Sequence, residues 1–377
     1  MVATSSDYKM AKIQQKCGVK PENMFYRKFD TLQMPLYPTA ERLQQDIVEA
    51  WERSDKDALF YVLLDEVQDV EGWERVVRRL HSQDGIDVYL TGSNASILSS
   101  DLATLLSGRS IALDVYPLGF AEYVDFSEGF GSDSMEKLFA NYVRYGGMPS
   151  LFSLMERSED FIERELSAIF DTVLLNDVAL RMGIRDMALL ERLVTYLFST
   201  SGNLFSTRKI TGALASAGRK TSNDTVDNYI KALEEAFALV GVQQTGLAGK
   251  RVLSPLRKFY AADTGLRNLP NGFAPGDFGF QLEGVVFMEL LRRGYRVEVG
   301  PLDRAEVDFV AMRRDEKLYV QVAESMLDAA VYERELAPLR LIPDSFPKMV
   351  LALDRFRMGT TEDGIRVANL MDWLLGA

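Results

Sequence analysis

Two adjacent carboxylates, Asp65 and Glu66, follow directly on five apolar residues, Phe60 to Leu64. A buried strand of a parallel sheet, covered on both faces, delivers acids to its carboxyl end in this way. There the first acid suits magnesium held through its water shell, and the second suits the orientation or deprotonation of an attacking water. The same residues also describe a core strand followed by a polar turn. A second set lies further on: Glu283 in an amphipathic segment, Glu306 and Asp308 two apart on a strand pattern and so on one face, and Gln321 on the strand pattern that follows. A helix Glu, a strand Asp and a Glu/Gln-x-Lys could bind magnesium and set up water attack on a phosphodiester. Ala323 stands in the lysine place, so the expectation is this fold without nuclease activity. The acids equally suit plain solvent-facing positions.

Composition limits the alternatives. A chain of 377 residues with 47% hydrophobic content can bury several cores, and at roughly 100 to 200 residues per domain it holds two to four domains. The net charge of -12 argues against a chain that coats nucleic acid or anionic membrane along its whole length. One cysteine, Cys17, and one histidine, His81, exclude an intramolecular disulfide framework, a multi-cysteine zinc site and a His-based metal centre or triad. No signal-peptide layout and no apolar run of ~20 residues is present, which points to a cytoplasmic protein without a membrane partner.

The elements that position the first acid pair follow a repeating order. Tyr8 to Lys16 suits the end of an amphipathic helix, Asn23 to Phe29 a short strand, and Thr39 to Arg53 a helix with Leu43, Ile47, Val48 and Trp51 on one face. Trp73 to His81 is a second helix and Ile86 to Leu90 the next strand, ending in Thr91-Gly92-Ser93-Asn94. Ser93 or Asn94, at the tip of that strand, could sense a gamma-phosphate or position the water; the same run is also an ordinary helix-capping turn. Arg109, before a strand expected over Ile111 to Tyr116, could stabilise phosphate charge or make a surface ion pair.

Tyr-Val-Leu-Leu-Asp-Glu-Val-Gln, Leu-Thr-Gly-Ser-Asn-Ala, Leu-Ser-Gly-Arg, Tyr-Pro-Leu-Gly-Phe-Ala-Glu-Tyr and Tyr-Gly-Gly-Met-Pro occur in this order. With them the chain resembles the bacterial and archaeal AAA-type ATPases that carry a C-terminal domain of unknown function, over nearly its whole length. The resemblance implies Asp65 and Glu66 as a Walker B pair, Ser93 or Asn94 as sensor, Arg109 as a finger, and ATP with Mg2+ as cofactors. A P-loop, Gly-x-x-x-x-Gly-Lys-Ser/Thr, does not occur; the resemblance puts it where Met1 to Ser6 stand, so the chain is expected to begin just after it. In that fold the P-loop strand lies beside the sensor strand. Its loss leaves Ile86 to Leu90 unpartnered unless Ile111 to Tyr116 closes the gap.

Downstream, Pro117 to about Arg185 is helical by pattern and suits a lid. From Asp186, a helix over Leu189 to Leu197, caps at Ser206 and Ser222 before two more helices, and a hairpin of Leu239 to Val242 with Arg251 to Leu253 give the order of a winged helix-turn-helix. Between Phe205 and Tyr260 nine Lys/Arg face four acids. Arg219 and Lys220, and Lys250 and Arg251 at the wing tip, could meet duplex DNA; winged helices also serve protein partners. The expected fold is therefore α/β in four domains: an ATPase-type parallel sheet lacking its P-loop strand (1–116), a helical lid (117–185), a winged helix (186–262) and a restriction-endonuclease-like domain (263–377). Three functions stay open: an ATP-dependent regulatory or DNA-associated switch with weak nucleotide binding, a non-enzymatic module binding DNA, a protein or itself, and a metal-dependent nuclease through Glu283, Asp308 and Gln321.

Overall fold

Alternation decides the first sheet. In the computed structural model Phe60, Val62 and Leu64 are buried while Tyr61 and Leu63 are only half-buried. The structure describes residues 18–29, 38–92, 110–130, 133–153, 158–172, 178–179, 183–184, 186–244, 257–273, 278–302 and 305–376. They fall into two compact units, 1–114 and 115–377. In the first, β1 (Met24–Lys28), α1 (Ala40–Arg53), β2 (Phe60–Asp65), α2 (Trp73–His81) and β3 (Ile86–Leu90) alternate. The strands form a parallel sheet in the order β1-β2-β3, with Lys28 opposite Asp65 and Leu64 opposite Leu90. Leu43 and Ile47 of α1 and Val76 and Val77 of α2 join Phe60, Val62 and Leu64 in one core. The expectation of a strand buried on both faces is thus corrected, because the described helices contribute their apolar residues to one face.

Ile111 to Tyr116 does not form the expected strand. Ile111, Leu113 and Val115 are 89%, 82% and 94% exposed, and among the described residues β3 pairs only with β2. With no strand beside it, the segment has no ladder to join and no surface to bury those side chains against. The helix expected over Tyr8 to Lys16 lies outside the described residues.

In the second unit, α3 (Phe120–Ser127), α4 (Met135–Tyr145) and α5 (Glu159–Phe170) precede α6 (Met187–Ser199), β4 (Leu204–Phe205), α7 (Thr207–Ser216), α8 (Asn223–Glu235), β5 (Leu239–Gln243) and β6 (Arg257–Ala261). The Ser206 and Ser222 hydroxyls accept from Lys209 N (3.3 Å) and Thr225 N (3.0 Å), the caps that the sequence sets. The described antiparallel partner of β5 is Arg257–Ala261, in the order β4-β6-β5; the residues expected as its return strand, Arg251 to Leu253, lie outside the described set. Then come α9 (Thr264–Asn268), α10 (Phe278–Arg292), β7 (Arg296–Leu302), β8 (Ala305–Arg313), β9 (Glu316–Ala323), α11 (Ala329–Arg340), β10 (Lys348–Ala352), β11 (Gly359–Thr360), β12 (Arg366–Asn369) and α12 (Leu370–Leu374), with the six strands ordered β11-β12-β10-β9-β8-β7. Cores cross the boundaries expected from sequence. Tyr145 and Leu166 share one core with Leu193, Ile210 and Phe259, and Phe120 and Tyr142 share another with Tyr260, Phe287 and Trp373. No helix among the described residues is long and apolar enough to cross a membrane.

One clasp explains the Tyr-Gly-Gly-Met-Pro motif. The buried Asp263 carboxylate accepts hydrogen bonds from Gly147 N (2.7 Å) and Leu266 N (3.1 Å). Gly146 turns with φ +78°, and a Cβ there would overlap that carboxylate. Asn268, on the same short helix, donates to the carbonyls of Val143 (3.1 Å) and Arg144 (2.9 Å). Gly265 lies against the Tyr145 carbonyl, where a Cβ would overlap backbone. Gly265→Ala is therefore expected to cost about 3 kcal/mol through forced separation of α4 and α9. Denaturant unfolding checks this, and a loss below about 1 kcal/mol would mean that the contact relaxes freely.

Candidate functional site

Asp65 is the last residue of the central strand, and β1 and β3 both reach it. Tyr26 of β1 donates its hydroxyl to Asp65 Oδ2 at 3.2 Å, and Thr91, immediately after β3, donates a short hydrogen bond to Asp65 Oδ1. The Thr91 hydroxyl also accepts from Glu66 N (3.4 Å), while its own N–H binds the Leu64 carbonyl (2.9 Å). One threonine thus ties both acids to the neighbouring strand. Glu66 adopts the left-handed conformation, φ 55° and ψ 46°, which costs a non-glycine residue roughly 1 kcal/mol. The turn sets its carboxylate against Gln68, whose side-chain N–H donates to Glu66 Oε2. Gln68 Oε1 is buried with no hydrogen-bond partner among the described residues. The arrangement offers a half-exposed carboxylate held by hydroxyl donors, beside a second acid fixed by a strained turn.

Of the residues expected here, Asp65 and Glu66 stand together at the sheet end. Ser93, Asn94 and Arg109 lie outside the described residues. Sequence reasoning missed Thr91, Tyr26 and Gln68. Register could have found Thr91: Leu64 pairs with Leu90, so the next residue on each strand brings Asp65 and Thr91 side by side.

The second acid set also assembles. Asp308 N donates to Gln321 Oε1 (3.3 Å), Val322 N donates to Asp308 Oδ2 (2.8 Å), and Gln321 Nε2 donates to the buried Glu335 (2.9 Å). Glu283 of α10 accepts from the Tyr260 hydroxyl (3.2 Å). Lys258 stands among them, its ammonium 3.9 Å from Glu283 and 3.6 Å from Glu306. Desolvation, then the charge of Asp308, pushes the Glu283 carboxyl up to about 8. Desolvation likewise raises Asp308 to about 6, against the pull of the Val322 N–H and Lys258. Among the described residues no group of three or more His, Cys, Asp or Glu could hold a metal ion. Of the set expected from Glu283, Asp308 and Gln321, Gln321 spends both amide atoms on Asp308 and Glu335, and the Lys258 ammonium stands beside Glu283.

The basic surplus around α7 and α8 is smaller than the residue count suggests. Arg257 is bound by Glu234 and Lys258 is buried among the acids, so neither reaches a ligand at the surface. Arg219 lies 3.8 Å from Asp186, while Lys220 is exposed. Lys250 and Arg251 lie outside the described residues. The exposed side of α8 carries Asp224 and Asp227 as well as Asn223, Asn228 and Lys231.

A family model described as an AAA domain matches residues 8–124, which enclose Asp65, Glu66 and Thr91. An uncharacterized protein of Haemophilus influenzae is 38% identical over 363 residues, 96% of this chain and 88% of that one. The chain belongs to one family with that uncharacterized protein, and its residues 8–124 are similar to AAA domains. A second model, described as a domain of unknown function (DUF8612), matches residues 136–275 of this chain. An uncharacterized protein of Methanocaldococcus jannaschii, MJ1544, is 27% identical over 300 residues, 74% of this chain and 66% of its own. Among solved structures, the Walker-type ATPase paby2304 of Pyrococcus abyssi is similar at 17% identity and a TM-score of 0.42, covering 70% of this chain and 75% of that one.

In this AAA-type sheet, Thr91→Val removes both the donor to Asp65 and the acceptor for Glu66 N. It is expected to cost about 1–2 kcal/mol, with Thr91→Ser close to wild type. Urea unfolding of the two variants checks this, and a larger loss in Thr91→Ser than in Thr91→Val would show that the methyl group matters and the hydroxyl does not.

Proposed function

We propose that this chain is a regulatory or DNA-associated switch of the AAA type, with Asp65 placed to hold hydrated Mg2+ and Glu66 to orient an attacking water. The observation that carries this is the sheet end itself: adjacent acids on the middle parallel strand, locked to β3 through one hydroxyl. A single half-exposed carboxylate among hydroxyl donors fits a magnesium ion that keeps most of its waters. That ion would supply charge to a polyphosphate when bound. What the sequence does not contain is a Gly-x-x-x-x-Gly-Lys-Ser/Thr cradle, whose backbone N–H groups and lysine give most of the grip on phosphates. The 377-residue polypeptide is therefore expected to bind Mg-ATP with a Kd weaker than about 1 mM, equivalent to less than ~4 kcal/mol. Titration calorimetry tests this, and a micromolar Kd abolished by Asp65→Asn would overturn it in favour of a working nucleotide site.

The order α6-β4-α7-α8-β5-β6, with Ser206 and Ser222 as caps, supports a second reading of residues 187–261 as a winged helix that meets duplex DNA. Phosphate contact would come from Arg219 and Lys220, helped by Lys250 and Arg251, and it must prevail over Asp224 and Asp227 of α8, the helix that follows Lys220. Arg219→Glu with Lys220→Glu is expected to weaken duplex binding at least tenfold and lower the salt slope by about 2. Fluorescence anisotropy across a salt series measures both. Undiminished binding would remove these residues from the interface, and no binding by the wild type would favour a protein partner.

A further inference from the structure

Helix α2 turns two different faces outward and inward. Trp73, Val76, Val77 and Leu80 enter the core of the first unit, while Arg75, Arg78 and Arg79 are exposed. Positions three and four apart lie on one side of a helix, so the three guanidiniums form a single row. Other cations of this unit are paired. Lys20 meets Asp55 at 2.8 Å, and Arg27 and Arg42 both meet Asp46, at 3.2 and 2.9 Å. Among the described residues no carboxylate pairs with a member of the row, and Arg79 donates to the Gln44 amide oxygen instead. Glu74, the one acid of α2, stands four residues before Arg78, a spacing that favours an ion pair, and forms none among the described residues.

Local physics accounts for only part of this row. Arg78 and Arg79, in the last turn, complement the helix dipole. Arg75 lies in the first turn, where the dipole disfavours a cation, and like charges three and four residues apart repel. We propose that Arg75, Arg78 and Arg79 form a contact surface for the phosphate backbone of duplex DNA, which rests on the DNA-associated reading above for its ligand and on different residues for its place. A guanidinium presents paired N–H donors that match two phosphate oxygens. A duplex offers a phosphate every ~3.4 Å of rise on each strand, so a row of arginines finds acceptors in more than one register. A protein partner fits less well. Such an interface has an apolar core, yet the exposed residues flanking the row are Glu71, Ser82, Gln83 and Asp84, and none of the large exposed apolar side chains belongs to α2. The net charge of -12 confines contact with DNA to a local surface of this kind.

The test is fluorescence anisotropy of a labelled mixed-sequence duplex with the full chain across a salt series. It compares wild type, Arg75→Ala with Arg78→Ala, and Arg219→Glu with Lys220→Glu. Alanine suits an exposed helix position, and Arg79 keeps its bond to Gln44, so the α2 pair is expected to fold, as circular dichroism checks. Arg75→Gln with Arg78→Gln replaces it if the alanines disturb the helix. The α2 pair is expected to weaken binding about tenfold and to lower the salt slope by about 2, equally for duplexes of different sequence. Unchanged affinity and slope in the α2 pair, with the wild type bound and Arg219→Glu/Lys220→Glu weakened, would overturn the proposal and leave the winged-helix reading standing. A wild type that binds no duplex would overturn both. Polyglutamate that displaces the duplex from the wild type and is held less tightly by the α2 pair than by the wild type would overturn it in favour of an acidic protein partner.

Discussion

The Asp263 carboxylate is the interaction on which residues 115–377 most depend. Burial raises its proton affinity, and backbone N–H groups of Gly147, Leu266 and Gly265 hold it. These donors come from the turn after α4 and from α9, whose neighbours contribute to both large cores of the unit. A carboxylate meets such donors with two charged oxygens, whereas an amide in its place would offer one neutral accepting oxygen. The glycines of the turn follow from it: Gly146 must take a positive φ and leave room for the acid. The turn, α9 and the start of α10 are thereby fixed to one point, and Gln281 of α10 closes the network through Asn268 (3.1 Å).

How far the sequence reached depended on whether the information was local. The apolar run before Asp65, the Ser206 and Ser222 caps and the two-residue spacing of Glu306 and Asp308 are local patterns, and the elements they announce are present. The contact of Asp308 with Gln321 also follows from neighbouring strands. What escaped depended on distant partners. Gly147 and Asp263 are separated by 116 residues, and no periodicity links them. Lys258 sits on a strand whose partner was assigned to Arg251 to Leu253, so its inward direction could not be read. Thr91 lies two residues before the expected sensor position Ser93, and register, not residue type, brings it to Asp65. The helix over Ala329–Arg340 and the strand over Lys348–Ala352 were not anticipated. The first carries Pro338 inside it, and the second is a short apolar run that fits either element.

Charge served two purposes in this chain, and counting it blurred them. A surplus of lysine and arginine between Phe205 and Tyr260 suggested a surface for phosphates, yet Arg257 and Lys258 are spent on internal acids. Of the other exposed cations, Lys231 shares α8 with two aspartates. A similar division holds at the acid end of β2. There the first carboxylate is held by hydroxyl donors, and the second is kept in place by a backbone turn that a glycine would occupy at lower cost. Both sites are therefore defined by which partner each charge has been given.

The exposed side chains of Ile111, Leu113 and Val115 have a colloidal consequence. Ser110 to Val115 is a six-residue window of alternating apolar residues without proline, the composition that favours intermolecular β-pairing. Asp114 is its single charge and Pro117 closes it, so one carboxylate acts as the gatekeeper against stacking. Concentrated solutions of the chain should therefore be prone to clump through this segment, and an added lysine at Ala112 would keep the molecules apart.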